Sequence, residues 1–95
     1  MNNLEALPYA KAIVSADWYY NMTEDYGAYN RGRASVENVR KMIESKNWTI
    51  DEVEMIKLEC RNQLLLRQNV TELSEKTTNF WNTKVDQLFK KALEQ

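Results

Sequence analysis

An all-α protein, a small bundle of three to four helices ending in a long C-terminal amphipathic helix, is the fold this sequence predicts. Three observations carry that reading. Thr49-Ile50-Asp51-Glu52 is a capping-box pattern, a hydroxyl followed three residues on by a carboxylate able to reach back to the cap. Val70, Leu73, Thr77, Trp81, Val85, Leu88 and Ala92 recur at three- and four-residue steps, close to the ~3.6 period of a helix. One proline and two glycines in 95 residues leave little punctuation for strands and tight turns. The length suits one domain, residues 1–95.

The first helix is expected from Leu4 to about Met22, with Pro8 in or near its first turn, where a missing N–H is least costly. Leu4, Leu7, Val14, Trp18 and Met22 fall on one stripe, and Tyr9, Ile13, Ala16 and Tyr20 fall on another. Thr23-Glu24-Asp25 resembles a second start, a hydroxyl cap with acids facing the positive end of the helix dipole. Gly27 and Gly32 weaken any continuation, so an irregular turn is expected near Arg31–Ala34. A further helix should then run from about Val36 to Ser45.

Lys46-Asn47-Trp48 reads as a connector. The helix opened at Thr49 carries Ile50, Val53, Ile56, Cys60 and Leu64 on one face, widened by Leu58 and Leu65, with Met55 and Leu66 nearly opposite. Asn69-Val70-Thr71-Glu72 gives a second capping signal and a break before the last helix, where Trp81 and Leu88 are expected in the core and Phe80 and Phe89 flank the stripe. The first helix and the Thr49 helix each bear more apolar surface than one packing partner covers, which predicts a homo-oligomer.

Charge is balanced, 13 basic residues against 14 acidic, which argues against bulk binding to duplex nucleic acid or an anionic membrane. No run approaches the roughly 18 apolar residues of a membrane span. The first residues lack a basic region followed by an apolar run, so a secretory leader is not expected. Cys60, the single cysteine, suits a reducing interior. The expectation is a soluble cytoplasmic protein.

Enzymatic chemistry finds little support. With no histidine, the commonest general base and metal ligand are both missing. Glu24–Asp25 and Asp51–Glu52 are paired acids, but at helix starts their role is to face the dipole. Cys60 lies on an apolar face and reads as a core thiol. No catalytic, metal or cofactor set is expected.

The stretch best suited to binding is Asp17–Arg33, DWYYNMTEDYGAYNRGR, which holds five of the ten aromatic residues and both glycines. Within it Tyr19, Tyr26, Tyr29, Arg31 and Arg33 are the candidate contact residues, because rings and guanidinium groups offer large contact area at modest entropic cost. The other basic residues, Arg40, Lys41, Lys46, Lys57, Arg61 and Arg67, interleave with acids and read as solvated faces. In size, composition and lack of catalytic motif the chain resembles small phage accessory proteins, among them inhibitors of host defence systems. That likeness implies an adaptor or inhibitor whose partner is another protein, a host factor first of all. A nucleotide or single-stranded nucleic-acid binder, with rings stacked on bases and Arg31 and Arg33 on phosphate, is the first alternative. A helical assembly scaffold is the second.

Overall fold

The helices of this protein are started and stopped by their own side chains. The computed structural model of the chain describes residues 1–20 and 37–93, with side chains for 1–16 and 37–93. Among these residues there are four helices and no strand, as the sequence predicts: α1 (Asn3–Tyr20), α2 (residues 37–44), α3 (Ile50–Gln68) and α4 (Glu75–Leu93). The start proposed at Thr23 and the turn near Arg31–Ala34 lie outside the described residues.

α1 begins one residue earlier than its apolar pattern, because the Glu5 N–H donates to Asn2 Oδ1 at 2.9 Å and the Ala6 N–H donates to the Asn2 carbonyl at 3.0 Å. Asn2-x-x-Glu5 was the overlooked signal. Pro8 therefore sits in the second turn, not the first, and removes the helical donor for the Leu4 carbonyl. Both residues are exposed, so water can replace the lost partner.

The Thr49 capping box forms as expected: the Glu52 N–H donates to Thr49 Oγ1 at 3.2 Å and the Thr49 N–H donates to Glu52 Oε1 at 3.0 Å. A hydrogen bond from Lys46 holds the Glu52 carboxyl below the usual carboxylate range; burial opposes this, and the Thr49 backbone adds to it. Because the folded pKa is lowered, this contribution is present above the ordinary range and lost as pH falls through the lowered value. Asn69 makes the expected break, as the stop of α3 and not as the cap of α4. It adopts the left-handed conformation (φ 53°, ψ 48°), and the Asn69 and Val70 N–H groups donate back to the Leu66 and Leu65 carbonyls, a Schellman closure. The cap of α4 is Ser74, whose Oγ accepts from the Thr77 N–H at 3.1 Å. Thr49→Ala and Ser74→Ala should each lower stability by about 0.5–2 kcal/mol. Urea midpoints indistinguishable from wild type would show that neither cap matters.

α3 is the central element and packs against both α1 and α4. The α1 contact is built on Ala6, Ala10, Ile13, Val14 and Ala16, all buried. This arc lies between the two stripes read from the sequence and takes members from each, whereas Leu4 is 79% exposed. Alanine weighs little in an apolar pattern, yet its small side chain lets two backbones approach closely, and that decides which face turns inward. On α3, Val53, Ile56, Cys60 and Leu64 are buried as expected. Ile50, the first residue of the helix, is 70% exposed, and Met55 packs against the core instead of opposing it. On α4 the centre is Val85 and Phe89, fully buried, with Trp81 and Leu88 only partly buried around them.

Trp48 lies in the connector between α2 and α3, as expected, and its side chain is buried in the core. Its ring meets Tyr9 of α1 edge-on at 5.0 Å and Phe89 of α4 at 4.8 Å. Its indole N–H donates to the Ile43 carbonyl at the end of α2 at 2.7 Å. One side chain in the α2–α3 link thus touches the other three helical segments of the bundle, α1, α2 and α4, and Lys46 covers its face at 4.4 Å.

Candidate functional site

Of the residues proposed from sequence, Tyr19 lies in the last turn of α1, with its side chain outside the described set. Tyr26, Tyr29, Arg31 and Arg33 lie outside the described residues altogether. What the described residues do bring together is a groove between α3 and α4.

The connection between these helices is short, so they form a helical hairpin, tied across its middle by Lys57. The Lys57 ammonium meets Asp86 of α4 at 2.6 Å and Glu54 one turn back at 3.0 Å, with its side chain only 15% exposed. Lys57 is therefore a half-buried tie and not a solvated charge. Burial pulls its pKa down, but the hydrogen bonds and charges of Asp86 and Glu54 outweigh this and leave it raised. The tie is intact below the ordinary lysine range and is lost as pH rises through the raised value.

Toward the Asn69 end the hairpin opens into a groove of about 230 Å³. Leu58, Arg61 and Leu64 line it from α3, Leu73 from the connection, and Trp81 and Asn82 from α4. Glu54, Lys57 and Thr78 complete the lining; Leu64 is buried, Leu58 is 44% exposed and Trp81 is half-buried, so the walls are apolar in part and reachable. Beyond Trp81 stands Phe80, 54% exposed, with the two rings edge to face at 5.8 Å and Lys84 5.7 Å from each. Arg61 lies one turn beyond Lys57, exposed, and pairs with no acid among the described residues.

Such an arrangement can hold an apolar side chain and place a cation beside it. Two reactive-looking groups on α3, Cys60 and Glu59, lie outside the groove lining. Burial, with the Glu59 charge adding, pushes the Cys60 thiol up to about 12, so it stays protonated. Glu59 is buried as well, and accepts a long bond from the Asn62 amide at 3.4 Å. Among the described residues no three His, Cys, Asp or Glu side chains gather to hold a metal ion.

Two groove features are legible in the sequence. Adjacent rings at Phe80 and Trp81 cannot both face the core, since helical neighbours diverge by about 100°. Arg61 at i+4 from Lys57 shares its face, and that face has only enough acids for one of them. The chain matches no protein-family model, no curated protein and no solved structure, so the site stands on its own geometry.

Proposed function

We propose that this chain is a small non-enzymatic adaptor or inhibitor that docks on another protein, a host factor in the reading suggested by its likeness to phage accessory proteins. The observation that carries the proposal is the continuous rim of Leu58, Trp81 and Phe80 beside the α3–α4 groove. Large side chains held on rigid helices supply contact area at low entropic cost. The exposure of Leu66, at 73%, adds apolar surface on α3 near the same end of the hairpin. Among the described residues no helix is long and apolar enough to cross a membrane.

The test is capture from nuclease-treated host lysate on the immobilised chain at moderate salt, with Leu58→Glu in parallel. One protein retained in stoichiometric amount by wild type and lost by Leu58→Glu is the expected result. Retention abolished by nuclease would favour the nucleic-acid alternative. Loss of capture in the Arg31→Ala, Arg33→Ala double variant, with Leu58→Glu unaffected, would move the docking site to the aromatic–Arg stretch. Assembly that grows with concentration in the absence of any partner would favour the scaffold.

A further inference from the structure

We infer that the α3–α4 groove receives a protein segment that presents one large apolar side chain next to a carboxylate, and that Arg61 reads the acid. This rests on the docking proposal and specifies the partner's chemistry.

Size comes first. Small-molecule sites run to roughly 300–1,000 Å³, and this groove, at about 230 Å³, is smaller. It suits a single anchoring side chain better than a whole cofactor. The walls fix the anchor's character: Leu58, Leu64, Leu73 and Trp81 reward an apolar group. On α4, Asn82 sets a carboxamide, both donor and acceptor, within the lining, where a bound backbone can use it.

Charge then selects the neighbour of the anchor. Three charged residues line the groove, and two of them, Lys57 and Glu54, pair with each other, Lys57 also meeting Asp86 of α4. Arg61 is left over. A guanidinium that finds no acid of its own beside an apolar groove favours an occupant bearing one, and its planar fork matches a carboxylate in two parallel bonds. A phosphate backbone fits less well. Of the two cations in the groove lining, Lys57 is already held by Glu54 and Asp86, whereas nucleic-acid sites need a stripe of basic residues.

Selection of random short peptides displayed on phage, against the immobilised full chain, tests this directly. Arg61→Glu and Leu58→Glu are used alongside, after thermal midpoints matching wild type show that both fold. Wild type should enrich peptides with Trp, Phe or Leu within one helical turn of Asp or Glu. Arg61→Glu should keep the apolar preference and exchange the acid for Lys or Arg, while Leu58→Glu should enrich neither. The best wild-type peptide should bind Arg61→Glu at least about tenfold more weakly, as for loss of a hydrogen bond to a charged group.

Enrichment without an acid preference, the same acidic peptides on Arg61→Glu, or no enrichment above the starting library would each overturn the inference. So would a solution mass of twice 11.3 kDa that falls to 11.3 kDa in Leu58→Glu, since a second copy would then fill the groove. The two proposals fail separately. A captured partner lost by Leu58→Glu but indifferent to Arg61→Glu removes the acid-reading role and leaves docking in place. Acid-plus-apolar peptides without any captured partner support the groove chemistry and remove the adaptor.

Discussion

Trp48→Ala is expected to lower stability by about 3–5 kcal/mol, the range for truncating a buried aromatic ring. Domains of this size hold only roughly 5–15 kcal/mol in total, so the variant should lie close to its unfolding transition at room temperature. The effect is large because Trp48 acts on three segments together. Its removal opens a cavity between Tyr9 and Phe89 and takes the indole donor from the Ile43 carbonyl. Trp48→Phe separates these contributions: a ring remains in the gap, and the unmet carbonyl accounts for about 1–3 kcal/mol. Urea unfolding followed by far-ultraviolet circular dichroism measures both. A Trp48→Ala midpoint equal to that of wild type would show that the bundle does not depend on this residue.

Phe89→Ala should be comparably damaging, again about 3–5 kcal/mol for a fully buried ring. Val85 and Ile56 are equally buried, so little nearby can move to fill the space. The same truncation at Trp81 should do less harm, because that side chain is only partly buried and borders the groove. The order of the two is the decisive readout. Should Trp81→Ala prove the more destabilising, the centre of the core would lie at the Asn69 end of the hairpin. Phe89 and Trp48 are in contact, so their double variant should depart from additivity by about 0.5–1.5 kcal/mol, the worth of an aromatic pair beyond its buried area.

The helical class was legible because its signals are local. Thr49 with Glu52, and the buried set Val53, Ile56, Cys60 and Leu64, are patterns within one or two turns. What escaped depends on partners distant in sequence. Nothing next to Trp48 announces that Tyr9 and Phe89 will enclose it, and a Lys-Asn pair before it suggests exposure. Ala6 and Ala10 form the α1 contact through smallness, a property that apolar patterns undervalue. Asn69 marks a break in the sequence, but which helix it caps is not legible there, since asparagine serves both as an N-cap and in the left-handed stop. The groove was less legible still. Arg61 is set apart from Lys57 only by which of them meets Asp86 across the hairpin, a choice made by helix packing.

Cys60 offers a consequence of a different kind. The chain's only thiol is sealed in the centre of α3 and held in its unreactive protonated form. An alkylating reagent can modify it only in molecules whose core has opened, where the sulfur meets water and regains an ordinary acidity. The protein therefore carries its own clock for opening. Labelling of Cys60 in native buffer, without denaturant, counts excursions of the helices away from one another, and a ligand seated between α3 and α4 should slow that count.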